Sequence, residues 1–296
     1  MQHRSPSRRT TLRSALGTTL GTALALGCAG LGVTPAAAGQ GRVFRDVRAF
    51  GGTWEGVYDG RRARLRIIVV RQSPGTLHTL YLTLTDLDRD ETFTGSLEDL
   101  PATSHLAGGI ALRGSAALTL RALVLHTRDT DRLSGTSVRD GRGFPLSFRR
   151  SGTGPAHVEN RPFRDYRDWY GGYAGDAGEG RYAGDLDGRP AELTVLREET
   201  PEGTLIGFRL VDLDRGMSWG TALRESEVRQ WPYDRQRDPL AGSTLTPARF
   251  LDEPLQVDSL YWHGSDAAYV SGASAGPGGL YGMSFVRRAA PSVRGR

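Results

Sequence analysis

The fold is decided by the stretch Trp54-Glu55-Gly56-Val57-Tyr58-Asp59-Gly60-Arg61-Arg62-Ala63-Arg64-Leu65-Arg66-Ile67, because its pattern returns 128 residues later. The second copy reads Tyr182-Ala183-Gly184-Asp185-Leu186-Asp187-Gly188-Arg189-Pro190-Ala191-Glu192-Leu193-Thr194-Val195. In both, the Asp-Gly dipeptide that favours two-residue hairpin turns precedes a run of alternating apolar residues. The sequence therefore predicts a β-hairpin written twice, in a tandem duplication of a small all-β unit.

The repeat extends over both halves of the 296-residue chain. The turn Asp86-Leu87-Asp88-Arg89 returns as Asp212-Leu213-Asp214-Arg215, and later matches keep a constant shift of 137 residues. Each copy contains eight short strand patterns and no convincing helical period. Since eight sequential antiparallel strands can close and remove their edges, we predict two tandem eight-stranded antiparallel up-and-down β-barrels. The predicted boundaries are repeat 1 at 42–150, a linker at 151–161, repeat 2 at 162–288 and a C-terminal tail at 289–296.

Repeat 2 is longer than repeat 1 in two places. About eight residues are gained at 173–180, and the segment from Arg224 to about Ala248 gains eleven more. In an up-and-down barrel, alternate connections lie at the same end. Both insertions are therefore expected at one rim of the second barrel.

The first 38 residues resemble an export signal. Arg8-Arg9 open a twin-arginine-type motif, a mildly apolar run follows, and Ala36-Ala37-Ala38 suits cleavage. Removal of this segment takes away four arginines and no acid, so the net charge falls from +5 to about +1. We therefore expect an exported protein without affinity for nucleic acid and without a membrane span after cleavage. Attachment of a lipid at Cys28, the only cysteine, is the alternative.

Each repeat resembles the calycin superfamily of avidins and lipocalins. Gly52-Thr53-Trp54 enters the first strand, and the last strand of repeat 1 ends on Phe148-Arg149-Arg150. The resemblance implies that Trp54 packs against a basic residue of the last strand, Arg149, and that Tyr182 and Arg287 play these parts in repeat 2. It also implies a barrel whose mouth holds a small ligand. The residues with which avidins bind biotin have no match between Glu55 and Gly60.

Three patterns indicate chemistry, and each has a structural alternative. His126 with Asp129, repeated as His263 with Asp266, suits acid–base catalysis or a plain turn. Gly272-Ala273-Ser274-Ala275-Gly276 matches a nucleophile elbow, but it lacks a following helix and reads as a strand. The aspartates at 86, 88 and 90 begin like a calcium loop without its Gly and Glu, which favours a solvated turn. No cofactor or metal site is predicted.

The insertion in repeat 2 carries aromatic residues among charges, which suits stacking on a sugar or a partner, or plugging of the barrel mouth. The predicted ligand-binding residues are Trp231, Tyr233, Arg229, Arg235, Tyr170 and Tyr173. The leading hypothesis is thus a non-enzymatic exported protein that binds a small molecule or glycan at this rim. The second is a secreted protein-interaction or inhibitor module with filled barrels, and the third is an enzyme that uses the His and Asp residues.

Overall fold

Two closed eight-stranded antiparallel barrels make up the fold, which confirms the predicted fold class. The computed structural model describes residues 46–72, 77–100, 105–150, 161–171, 179–249, 252–276 and 279–288. The export signal, most of the linker and the C-terminal tail lie outside these residues.

Every strand pairs with its sequence neighbours, and the first strand of each barrel pairs with the last. Barrel 1 comprises β1 (Gly52–Tyr58), β2 (Arg61–Arg71), β3 (His78–Asp86), β4 (Glu91–Leu100), β5 (His105–Arg113), β6 (Ala117–Leu125), β7 (Arg132–Arg139) and β8 (Arg142–Arg150). Barrel 2 comprises β9 (Glu179–Leu186), β10 (Arg189–Thr200), β11 (Gly203–Asp212), β12 (Met217–Arg224), β13 (Thr244–Pro247), β14 (Leu255–Trp262), β15 (Tyr269–Gly276) and β16 (Gly279–Arg287).

Four short helical segments accompany the strands. A 3-10 turn precedes each barrel, at Val47–Phe50 and at Tyr166–Tyr170. The insertion after β12 folds into α1 (Glu225–Val228) and α2 (Tyr233–Arg237), where the sequence indicated no helix. These helices are about one turn long, too short to show a helical period in the sequence.

The 3-10 turn of barrel 1 plugs one end of the barrel. Val47 and Phe50 are fully buried, and Trp54 Nε1 donates a hydrogen bond to the Phe50 carbonyl at 3.0 Å. The Arg150 guanidinium lies 4.1 Å from the centre of the Trp54 ring and donates to the carbonyls of Ala49 and Gly51. This end of the barrel is thus covered by the 3-10 turn, which is held in place by the cation–π stack and by the hydrogen bonds from Arg150.

The basic residue that closes barrel 1 is therefore Arg150 and not the expected Arg149. Trp54 lies directly opposite Arg150 in the β1–β8 pairing, and successive strand side chains point to opposite faces. Arg149 accordingly lies on the outer face and is exposed. The prediction was one residue out of register.

Barrel 2 repeats this closure with different chemistry. Tyr182 takes the position of Trp54, and its hydroxyl donates to the Trp169 carbonyl at 2.9 Å. Arg287 donates to the Tyr182 hydroxyl at 2.6 Å and to the Asp168 carbonyl. The expected roles of Tyr182 and Arg287 agree with this geometry.

The two barrels pack side by side through β6–β8 and β14–β16. Residues related by the internal repeat meet across this interface. The hydroxyls of Ser147 and Ser284, which occupy matching positions, are 2.6 Å apart. Ala122, Val124 and Ala273 form a small buried apolar cluster beside them. The contact therefore has approximate twofold symmetry, like that of a homodimer joined into one chain.

The first hairpin turn of each barrel contacts the other barrel. Asp59 Oδ1 accepts a hydrogen bond from the Gly264 amide at 2.7 Å, and Asp187 Oδ1 accepts one from the Thr127 amide at 2.7 Å. A Cβ on Gly60 would lie 2.4 Å from the Asp266 nitrogen, and one on Gly188 would lie 2.6 Å from the Asp129 nitrogen. The repeated Asp-Gly dipeptide therefore forms both the hairpins and the contact between the barrels.

Candidate functional site

The His126 turn belongs to the interface between the barrels. His126 is fully buried, and its Nδ1 pairs with Asp185 of barrel 2, while its Nε2 lies 3.1 Å from the Ser134 hydroxyl. Asp129 instead pairs with Arg132 at 2.8 Å. The expected pair of His126 with Asp129 is not formed. Burial opposes ionisation of Asp185, yet His126 and Arg132 together hold its pKa below the ordinary value.

His263 is buried in the same way but has no acidic partner among the described residues. Its Nε2 lies 2.7 Å from the Ser271 hydroxyl, and Asp266 accepts a hydrogen bond from the Ala268 amide. Burial, together with Arg237 and Arg61, holds the pKa of His263 well below its ordinary value. The imidazole is therefore neutral at physiological pH and has no access to a substrate.

The asymmetry between the two histidines has a simple origin. Asp185 occupies the same place in its repeat as Val57 does in the first. His126 therefore has a carboxylate partner across the interface, whereas the matching position in repeat 1 offers no carboxylate to His263. The repeat shift shows this difference, but the sequence does not show that these positions face each other.

The other two predicted patterns are structural, although the expected solvated turn is wrong for Asp86, which is buried while Asp88 and Asp90 are exposed. Ser274 is buried within β15, and the next described residues form β16, so the strand interpretation is confirmed. Asp86 and Asp212 are fully buried and accept hydrogen bonds from Arg61 and Arg189, each at 2.6 Å. Each of these carboxylates, at the end of the third strand of its barrel, is thereby joined to the arginine that follows the first hairpin turn. Among the described residues, no group of His, Cys, Asp and Glu is arranged to hold a metal ion.

The insertion of repeat 2 closes the mouth of barrel 2. Gln236, in α2, is 8% exposed, and its side chain forms hydrogen bonds with three backbone groups. Its Oε1 accepts from the Tyr166 amide at 3.0 Å, and its Nε2 donates to the carbonyls of Val228 and Trp231 at 3.3 and 3.0 Å. The insertion after β12 and the 3-10 turn thus lie at the same end of the barrel. The expectation that the gain at 173–180 shares this rim stays a prediction, because residues 172–178 are outside the described part.

The predicted rim residues mostly support this cap. Trp231 packs against the barrel 2 core, and the Arg235 guanidinium lies 4.6 Å from the centre of its ring. Arg229 donates to the Tyr166 hydroxyl at 3.1 Å. Tyr170 is only 4% exposed, and burial raises its pKa to about 12. Tyr173 lies outside the described residues.

Tyr233 is the exception at this rim. It is 44% exposed, although its hydroxyl donates to the Phe163 carbonyl at 3.2 Å and its ring meets the Phe163 ring edge-on. The rim therefore presents a single well-exposed aromatic ring among the described residues, and no concave aromatic pocket is formed by the predicted set.

Both barrel interiors are filled with side chains. In barrel 2, Trp169 packs against Phe208 and Trp262 with ring centres 5.4 and 5.8 Å apart, and Trp262 Nε1 donates to the Tyr182 hydroxyl at 2.9 Å. In barrel 1, leucines and Phe93 pack around Trp54 and Phe148.

The outer surface of barrel 1 carries a feature that the sequence analysis missed. Ile68, Val70 and Tyr81 are 44, 45 and 50% exposed, and Ile68 lies directly opposite Tyr81 in the β2–β3 pairing. Leu77, 37% exposed, immediately precedes β3. The signal was present in the sequence, because Ile68 and Val70 break the alternation of apolar and charged residues along β2.

This apolar group adjoins a shallow hollow of about 520 Å³ beside β1 and β2. The lining of the hollow includes Arg48, Thr53 and Arg66. A second hollow, of about 570 Å³, lies where the first hairpin of barrel 1 meets barrel 2. The arginines of the second hollow, Arg61 and Arg62, are paired with Asp86 and Asp88. Of these two hollows, only the first includes an exposed large apolar side chain, that of Ile68, in its lining.

Comparisons with family models, with curated proteins and with solved structures give no match to this chain. Among the described residues, no helix is long and apolar enough to cross a bilayer.

Proposed function

We propose that this protein is an exported, non-enzymatic binding module that recognises another protein through its outer surface. The observation that carries the proposal is that both barrel interiors are filled, with the mouth of barrel 2 capped by the Gln236 network. Small-molecule sites are concave and typically enclose about 300 Å³ or more. A rigid solid barrel instead offers a firm platform for surface contacts.

Catalysis by the paired histidines has no geometric support. A general base has to lie within hydrogen-bonding reach of the proton that it removes. His126 and His263 are both fully buried between the barrels. His126 is used in the contact with Asp185 of barrel 2, and His263 is used in a contact with Ser271 of its own barrel, so no enzymatic role is proposed for them.

We also infer that the barrels are of the calycin type. The inference is supported by the 3-10 turn before each first strand and by the closing pairs of Trp54 with Arg150 and Tyr182 with Arg287. Export by the twin-arginine-type signal remains part of the proposal, with a lipid on Cys28 as the alternative. N-terminal sequencing of the exported protein distinguishes cleavage after Ala38 from processing at Cys28.

Two measurements on the full chain test the proposed function. Titration with cis-parinaric acid and with a panel of metabolites and glycans, followed by probe and tryptophan fluorescence, should show no saturable binding. A protein captured from the secreted fraction of the source cells should bind the purified chain with a dissociation constant of about 1 µM or lower. Saturable uptake of a small molecule, without any protein partner, would overturn the proposal.

A glycan site at the rim of barrel 2 is a second candidate, favoured by the exposed ring of Tyr233. Such a site would bind a sugar by stacking on this ring, with the partly buried Trp231 beside it in the same insertion. Tyr233→Ala and Trp231→Ala should then each abolish glycan-dependent fluorescence changes. Glycan binding that survives both substitutions, or no glycan binding at all, excludes this candidate.

A further inference from the structure

We propose that the outer face of β2, β3 and β4 in barrel 1, called here the barrel 1 face, is the docking surface for a partner protein that presents a carboxylate beside apolar side chains. The inference rests on the proposed function and adds to it the place of binding and the chemistry of the partner.

The centre of the barrel 1 face is apolar. Ile68 and Val70 are neighbours on the outside of β2, about 7 Å apart along the strand, and Tyr81 lies beside Ile68 on β3. Three of the seven large apolar side chains found exposed among the described residues lie on this face, namely Ile68, Val70 and Tyr81, and a fourth, Leu77, immediately precedes β3. Clustered apolar exposure of this kind marks interaction sites, whereas scattered apolar residues do not.

The charge beside the apolar centre is positive. Arg66 precedes Ile68 on the outside of β2, is exposed and makes no ion pair within the described part of the chain. Arg64, the next residue along the same row, is held only loosely by Glu55 at 3.4 Å. An arginine fork binds a carboxylate through two parallel hydrogen bonds, so the complementary partner group is an Asp or Glu side chain.

The rest of the face is polar and carries charges of both signs, which suits a protein more than a membrane. Hydroxyl side chains continue from the apolar centre across β3 and β4, at Thr83, Thr85, Thr92, Thr94 and Ser96. An anionic bilayer would require a cluster of basic residues, but Arg64 is paired with Glu55 of the neighbouring strand β1, and Glu98 is exposed on β4. Tyrosine, arginine and a polar rim are typical of protein interfaces.

The partner has to dock with its side chains, because β2 and β3 offer no free edge. β2 pairs with β1 and β3, and β3 pairs with β2 and β4. Strand addition, which requires unpaired backbone groups, is therefore excluded at the apolar centre.

Barrel 2 shows that the fold does not require these exposed side chains. The repeat places Glu198 at the position of Val70, Gly207 at that of Tyr81 and Arg209 at that of Thr83. The pairing agrees, since Leu196 lies opposite Gly207 as Ile68 lies opposite Tyr81. A barrel of the same architecture thus closes without an apolar centre on this face, which assigns the centre in barrel 1 to binding.

The experiment uses a displayed library of short random peptides selected on the immobilised full chain. The variant Val70→Glu with Tyr81→Gly reproduces the residues of barrel 2, and Arg66→Glu reverses the free charge. Leu213→Glu is the matched control, because Leu213 is an exposed apolar residue at a turn of barrel 2, 49% exposed. Thermal unfolding of each variant checks that the fold is intact.

We expect the enriched peptides to combine Asp or Glu with large apolar residues. They should bind the first two variants at least about tenfold more weakly than the wild type, with Leu213→Glu unchanged. Replacement of the peptide carboxylate by Arg should restore binding to Arg66→Glu, which a loss of folding would not permit.

Other outcomes overturn the inference in distinguishable ways. Peptides that bind all variants equally would show that the chain binds peptides at a surface other than the barrel 1 face. Self-association of the wild type that Val70→Glu with Tyr81→Gly removes would make a second copy of the chain the occupant. Binding to phosphatidylglycerol vesicles that the same variant removes would make the occupant a membrane. Failure to select any peptide, together with saturable glycan binding, would overturn the proposed function as well.

Discussion

Gly60 and Gly188 each have two separate reasons to be glycine. Their φ angles, +85° and +79°, lie in the left-handed region that disfavours a side chain. In addition, a Cβ at either position would collide with the backbone of the opposite barrel. We therefore expect Gly60→Ala to lower the free energy of unfolding by at least about 2 kcal/mol, because backbone strain and steric overlap add.

Gly141 separates these two effects. Its φ is +76°, and a Cβ there would meet nothing within 4 Å. Gly141→Ala should therefore show only the strain, about 1 kcal/mol, in the same urea unfolding measurement. Equal losses in Gly60→Ala and Gly141→Ala would show that the first hairpin does not press against barrel 2.

His263 should make stability depend on pH. The folded protein keeps this imidazole neutral because its pKa is well below the ordinary value, whereas the unfolded chain takes up a proton below about pH 6.5. Stability is therefore lost as the pH falls below that value, by up to about 1.4 kcal/mol per unit. The buried Asp238 acts in the opposite direction below about pH 6, because burial raises its pKa to about 6.

Comparison with a variant isolates the contribution of His263. Urea unfolding between about pH 7 and pH 5 should give a flatter stability profile for His263→Gln than for the wild type. Asp238 contributes equally to both proteins, so the difference between the curves belongs to His263. Parallel curves would mean that this histidine is protonated in the folded state.

At the residue scale, the features that can be predicted from the sequence are those that neighbouring residues determine. The Asp59-Gly60 turn could be predicted because two neighbouring residues specify it. The pair of His126 with Asp185 could not, because it joins positions 59 apart that meet only when the barrels pack. Arg149 and Arg150 cannot be told apart from the sequence, because the face on which a strand residue lies depends on the register of the pairing.

At the scale of the element, the cap of barrel 2 depends on one side chain. Gln236→Leu would leave the Tyr166 amide and two carbonyls without their buried partner. Because such groups cost about 1–3 kcal/mol when unsatisfied, we expect a loss of this size in unfolding experiments. Gln230→Leu is the control, because Gln230 is exposed in the same insertion. Equal effects of the two substitutions would contradict the cap.

The strands of both barrels were predictable, and the cap was not. Along β2, burial follows the alternation in the sequence, with Ala63, Leu65 and Ile67 inside. The helices α1 and α2 have no side-chain cap at their first residue, and they are held by contacts to the 3-10 turn and the core. Such tertiary support leaves no periodic signal in a segment of four or five residues.

At the scale of the whole molecule, the barrels should unfold as one unit. Ser147→Glu would place a carboxylate against Ser284 in the middle of the interface, at a cost of several kcal/mol. Calorimetry of the wild type should show a single transition, and that of Ser147→Glu two. Ser96→Glu, on the exposed outside of β4, should retain one transition. Two transitions in the wild type would mean that the barrels are independent.

The duplication is visible in the sequence, but the joining of its two products is not. Matching residues such as Ser147 and Ser284 are small and polar, and nothing in their spacing shows that each meets its own copy. The filled interiors were equally hidden, because inward apolar residues line hollow and solid barrels alike. Packing between distant residues decides both properties.

The central claim is that both barrels are solid, so that recognition takes place on the outside. Crystallography of the full chain under xenon pressure tests it most directly, because xenon enters dry apolar cavities. We expect no xenon site among the side chains that surround Trp54 in barrel 1 or Trp169 and Trp262 in barrel 2. A well-occupied xenon site inside either barrel would contradict it.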